Sequence, residues 1–185
     1  MKNQKGFTLV ELLVVISIVV IFPTIVVSNF PAVKLQFALS RQAHNFAQDV
    51  RSTQDRALSA LDFNDQFGVS QSIYGYGVFI DTSSLGNTKY IIYADKDPGN
   101  RYYDELDLVV AIVDFSTSEP GIIIKEVQNA IGQSISINFA PPKPSTTISV
   151  LDEGQQGINV VFAMESDPEK TKIVFINTSG LIEIK

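Results

Sequence analysis

The chain has no cysteine and a single histidine, His44, in 185 residues. Without thiols there is no disulfide framework and no thiolate metal site, so an exported domain of this sequence must hold together by its core alone. One histidine, with no cysteine and no second histidine, leaves neither a nucleophile–base pair nor a zinc set. His44 falls in an amphipathic stretch beside Phe46, where a solvated or capping role is expected. Phosphate loops, dinucleotide fingerprints, metalloprotease helices and nucleophile elbows are also missing. The acids lie over loops rather than paired around an apolar pocket, so no enzymatic activity is expected. Basic residues are in deficit, and at a formal charge of −6 nucleic acid is a poor partner. Hydrophobic residues make up 45% of the chain, enough for the core of one domain of moderate size plus an anchor, and nothing in the composition indicates disorder or fibrous repeats.

What the chain does have is one long hydrophobic run. After a short leader with Lys2 and Lys5, Gly6-Phe7-Thr8-Leu9-Val10-Glu11 opens an apolar segment that continues to Val27 with Glu11 as its one charge. A carboxylate in the middle of a membrane costs roughly 2.5 to 3.5 kcal/mol, so Glu11 asks for a partner and reads as a functional residue. An ordinary secretory signal would have an apolar centre of roughly 7 to 15 residues followed by a small-residue cleavage site. Here the run is longer and no Ala-x-Ala follows it. At about 1.5 Å per residue, about 20 helical residues reach the roughly 30 Å of a hydrocarbon core, so the segment can span a bilayer and stay there.

The stretch Lys5-Gly6-Phe7-Thr8-Leu9-Val10-Glu11-Leu12-Leu13-Val14-Val15 resembles the class III signal of type IV pilins and pseudopilins. The resemblance covers about the first thirty residues. It implies a leader of residues 1–6 removed by a prepilin peptidase after Gly6, a new N-terminus at Phe7 that becomes N-methylated, and an assembly role for Glu11. The physics agrees with those roles. A subunit joining a filament brings its own ammonium at Phe7 and can offer Glu11 to a neighbour's N-terminus, and a paired charge in lipid costs less than an isolated one. Further implied partners are other pilin or pseudopilin subunits, an inner-membrane assembly platform and the lipid bilayer. The precursor would cross the inner membrane once, with its globular domain on the extracytoplasmic side, before entering a pilus or pseudopilus.

Along the chain, residues 7–31 read as a transmembrane and assembly helix, with Pro23 and Pro31 predicting bends or local unwinding. Residues 32–61 read as its amphipathic half, with Leu35, Leu39, Ala43, Phe46, Val50, Ala57 and Leu61 on one face. Arg41, Asp49, Arg51, Asp55 and Arg56 read as the wet face, with Arg51 and Asp55 in helix-pair register. Residues 62–185 read as a β-rich globular domain. Apolar runs recur at 76–80, 90–94, 106–113, 122–126, 135–139, 147–150, 158–164, 172–177 and 181–184. Turn signals such as Glu119-Pro120-Gly121 and Thr178-Ser179-Gly180 separate them, so antiparallel sheets are expected rather than βαβ units. The expected fold class is α+β: a long N-terminal helix packed on an antiparallel globular domain, which is the pilin layout in outline.

Within that family the segment from Gln42 to Leu58, the closing run from Lys172 to Ile184 with its turn glycine, and Asn138-Phe139-Ala140-Pro141-Pro142 resemble H-type minor pseudopilins and related minor pilins. Some members bind DNA through basic residues near the C-terminus, where this chain has Leu181 and Glu183, so that activity is not expected. The remaining alternative is a surface adhesin or substrate-binding module on the same anchor. A filament needs Glu11, whereas a plain anchor is better without it. The acidic loop holding Asp95, Asp97, Asn100, Asp104, Glu105 and Asp107 carries two readings. Crowded oxygens suit calcium, with Asp95, Asp97, Asn100 and Asp104 as ligands, and major pseudopilins bind calcium in a loop. The match to an EF-hand loop is partial, since the glycine falls one position early and the twelfth place lacks glutamate. The other reading is an exposed acidic turn over Asp97-Pro98-Gly99-Asn100.

Overall fold

The computed structural model describes residues 6–59, 63–64, 70–141 and 145–185, with backbone alone at 25–29, 63–64, 70–71 and 145. The leader lysines, Leu61 and the Pro142 to Pro144 loop lie outside the described residues. The chain divides into two compact units, Met1–Phe37 and Ala38–Lys185.

One helix, α1, runs Leu9–Leu58 and contains both Pro23 and Pro31. The local unwinding predicted at the prolines is absent, because a proline deletes one backbone bond and leaves those of the flanking turns in place. In the first unit, the apolar residues from Leu9 to Phe22 are all about half exposed or more. A helix that is apolar on every side needs a cover other than water.

In the second unit the rest of α1 behaves as an amphipathic helix. Leu39, Ala43, Phe46, Val50 and Ala57 are buried as the spacing predicts, joined by Ala38, Ala47 and Thr53. Among the described residues eleven strands follow. Two short ones, β1 (Phe63–Asn64) and β2 (Ser70–Gln71), pair with each other and fall below any periodicity signal. A five-stranded sheet is built from β3 (Gly75–Asp81), β4 (Lys89–Asp95), β5 (Leu108–Asp114), β7 (Ser134–Ala140) and β8 (Ser145–Ile148), in the order β5-β4-β3-β7-β8. A four-stranded sheet takes β6 (Ile122–Gln128), β9 (Gly157–Met164), β10 (Asp167–Asn177) and β11 (Ile182–Ile184), in the order β11-β10-β9-β6. Every pairing is antiparallel. The closing hairpin turns at Gly180, whose φ of 83° a side chain would resist.

Phe46 ties the helix to both sheets. Its ring centroid lies 5.0 Å from Tyr90 on β4, edge-on, and 5.3 Å from Phe162 on β9. The face predicted to be wet is only partly so. Arg41 grips buried Glu119 through Nε and Nη2, and the Tyr90 hydroxyl donates to Asp49. Arg51 Nη2 donates to the Ile182 carbonyl at 2.9 Å rather than pairing with Asp55. These groups face the sheets because the domain wraps more of the helix than its apolar stripe alone marks.

Strand β7 departs from the half-buried alternation its sequence predicts, since Ser136 and Asn138 are as buried as their apolar neighbours. The loop between β4 and β5 covers them. Its Tyr103 ring stacks 4.7 Å from Phe79 and lies tilted 5.3 Å from Tyr93, and its backbone N–H donates to Ser136 Oγ at 2.9 Å. Gly77 makes this layer fit, because a Cβ there would sit 2.4 Å from the Tyr93 ring.

Candidate functional site

At the start of α1 three short contacts join two residues. Thr8 donates its backbone N–H and its hydroxyl to Glu11 Oε2, each at 2.9 Å, and Glu11 N–H donates to Thr8 Oγ1 at 3.2 Å. This is a capping box, in which Thr8 caps the helix and the glutamate three residues on returns the bond. The helix starts at Leu9 for that reason. Thr8 received no role from the sequence, although its signal, Thr-x-x-Glu before an apolar run, was present.

The Gly6–Phe7 peptide therefore lies outside the helix and is exposed on both sides, with Phe7 at 90%. A Cβ added at Gly6 would meet nothing within 4 Å. Among the described residues no packing calls for glycine there. Glu11 is likewise exposed, and among the described residues its charge is bonded only within the first turn.

Further along, the two hydroxyls of the apolar run are turned onto the helix itself. Ser17 Oγ donates to the Leu13 carbonyl and Thr24 Oγ1 to the Val20 carbonyl, each at 2.9 Å. Polar side chains satisfied by the carbonyl four residues back can lie in an apolar medium without an orphaned donor. Among the described residues no helix is long and apolar enough to cross a membrane. The side chains of 25–29, which include the end of the predicted span, lie outside the described residues.

The acidic loop staples itself. Asp97 Oδ1 accepts from Gly99 N–H at 2.8 Å, Asp107 accepts from the N–H groups of Lys96 and Asp104, and Asp95 Oδ1 accepts from Asp97 N–H at 3.0 Å. The Asn100 amide donates to Asp104 Oδ2 at 2.6 Å and to Asp97 Oδ2 at 3.4 Å. Of the oxygens expected to serve calcium, these are occupied by the loop's own donors. Among the described residues no three His, Cys, Asp or Glu side chains are grouped to hold a metal ion. His44 is exposed, with Nδ1 2.7 Å from the Ser40 carbonyl in the preceding turn.

Asp95 is fully buried beneath this loop, with Asn138 Nδ2 at 3.0 Å and Arg101 Nη1 at 4.0 Å from its Oδ2. Burial, aided by the charge of Asp107, pushes its carboxyl up to about 6 against the hydrogen bonds it accepts. The folded chain then holds a proton that the unfolded chain releases near pH 4. Stability from this group is complete below that pH and is lost as pH rises through about 6. We expect the unfolding free energy to fall by about 3 kcal/mol from this residue across that window. Denaturant titrations of wild type and Asp95→Asn from pH 4 to 7 check it. The wild-type slope should flatten in the variant, and parallel curves would discount Asp95.

Residues 1–22 match the prokaryotic N-terminal methylation motif, the type IV prepilin-like signal. Gly6, Phe7, Thr8 and Glu11 all fall inside it. Such a signal is the kind carried by pilin-like precursors that a prepilin peptidase processes. No curated protein and no solved structure gave a match to the chain.

Proposed function

We propose that the chain is a minor pilin or pseudopilin, a structural subunit of a type IV pilus or a type II secretion pseudopilus. One observation carries this reading: the methylation motif ends in a helix whose apolar residues are exposed all round and whose first turn holds a carboxylate. Lipid covers that surface before assembly and neighbouring helices cover it afterwards. The gain is roughly 25 cal/mol per Å² of apolar surface removed from water.

In this reading the peptidase cuts the exposed Gly6–Phe7 bond, which the capping box keeps clear of the helix. Phe7 becomes the methylated N-terminus. Glu11 caps its own helix in the free subunit and turns to a neighbour's ammonium in the filament, an exchange that sets register more than affinity. Residues 7–31 serve as anchor and then as assembly helix, engaging the inner-membrane platform between the two states. The β-rich domain stays on the extracytoplasmic side.

Replacing Glu11 by alanine tests the assembly step apart from processing. In cells supplying prepilin peptidase and the matching filament system, Glu11→Ala should give the same mature mass and N-terminal sequence from Phe7 as wild type. Its recovery in sheared filaments should drop by at least about tenfold, because a subunit without the register-setting charge is not held in place among its neighbours. Equal recovery of variant and wild type would remove Glu11 from assembly.

A further inference from the structure

On the outer face of the five-stranded sheet lies a hollow of about 450 Å³, walled by Phe79, Tyr102, Tyr103, Ser134, Ser149 and Val150. It is remote in sequence from the helix that serves assembly, and its size lies in the range of small-molecule sites. We propose that it binds a neutral sugar ring, as part of an oligosaccharide, by stacking the ring on tyrosine and bonding its hydroxyls to serines.

The walls differ in chemistry. On one side Tyr103 is fixed by its stack on Phe79 and by its N–H bond to Ser136 Oγ, while Tyr102 next to it stands 54% exposed at the rim. Flat rings of this kind accept the C–H face of a sugar as they accept other apolar faces. The opposite side carries hydroxyls whose directions are set from behind. Ser134 Oγ donates to Asp81 Oδ2 at 2.9 Å, which leaves its lone pairs to accept. Ser149 Oγ accepts from Ser136 N–H at 2.7 Å, which leaves its own hydrogen to donate. One acceptor and one donor suit a ligand whose hydroxyls are themselves both. Among the described residues no ionised side chain lines the hollow, and the chain's charge of −6 disfavours anions.

Val150 adds an independent sign. It has a φ of 51°, left-handed backbone that a β-branched residue resists. It is held there by the turn in which Ile131 N–H donates to its carbonyl at 2.7 Å, next to the bridge between Ala130 and Leu151. Strain kept at the lip of a hollow is common where a ligand is clamped.

The test uses the full chain in a sugar-free zwitterionic detergent, with saturation-transfer NMR against cellohexaose, maltohexaose and chitohexaose, and a proline-rich decapeptide as comparator. At least one hexaose should bind saturably to wild type. Tyr102→Ala should weaken it about tenfold and Tyr102→Phe about twofold or less, because the ring supplies the stack. Unchanged thermal midpoints for both variants would show that the fold is intact. The proposal is overturned if none of the three sugars binds, if Tyr102→Ala binds them as wild type does, or if the decapeptide occupies the hollow and the sugars do not.

Discussion

With prepilin peptidase present, the Gly6→Ala chain should accumulate with residues 1–6 still attached, while wild type is converted to a chain beginning at Phe7. Intact mass and N-terminal sequencing distinguish the two. The expected effect is close to complete loss of processing. It can be assigned to the peptidase, because a methyl group at position 6 has open space around it and the helix begins only at Leu9. An alanine there leaves the Thr8–Glu11 capping box intact. Normal cutting of Gly6→Ala, or cutting of wild type beyond Val27, would remove the prepilin reading of the N-terminus.

The largest stability effect is expected at Phe46. The ring is fully buried and touches an aromatic side chain of each main sheet, so Phe46→Ala removes the apolar transfer energy and leaves a cavity between three elements. Such truncations cost about 3 to 5 kcal/mol. Relaxation is limited here, because Tyr90 is tethered by its hydroxyl to Asp49 and Phe162 also packs on Phe115. Phe37→Ala serves as the control. That ring is 67% exposed, and its loss should change stability by no more than about 0.5 kcal/mol. Denaturant unfolding of the three chains in one detergent separates the cases. A small loss at Phe46 would mean that the helix does not hold the two sheets together.

The readable parts of this chain are those whose cause is local. Gly6, Phe7 and Glu11 stand out because a cleavage signal and a charged residue in an apolar run are both written over a few positions. Leu39, Ala43, Phe46, Val50 and Ala57 are legible from helical spacing alone, since a helix must turn its apolar side to a core. The strands from Tyr76 to Ile184 are legible from alternation and from turn residues at their ends, to within a few residues of their observed limits. Thr8 is equally local, but its Thr-x-x-Glu capping signal lies inside the same residues that carry the cleavage and assembly signal.

Other features depend on partners far away in the chain. Arg41 looks like a surface residue until the turn before β6, 78 residues on, brings Glu119 to it. Asp49 meets Tyr90 across 41 residues, and Arg51 meets Ile182 across 131. Ser136 and Asn138 alternate with apolar neighbours as in a strand with one wet face, and burial came from the loop that folds over them. The acidic residues of that loop have the composition of a cation site, yet their geometry turns many of their oxygens to backbone N–H groups. The sequence by itself determined a β-rich domain on a long helix that begins with a prepilin-like signal, because charge, periodicity and motif act over short stretches of chain. Only the tertiary structure decided the split into two main sheets, the burial of Asp95 and the hollow beside Tyr102, because each comes from residues brought together across many turns of the chain.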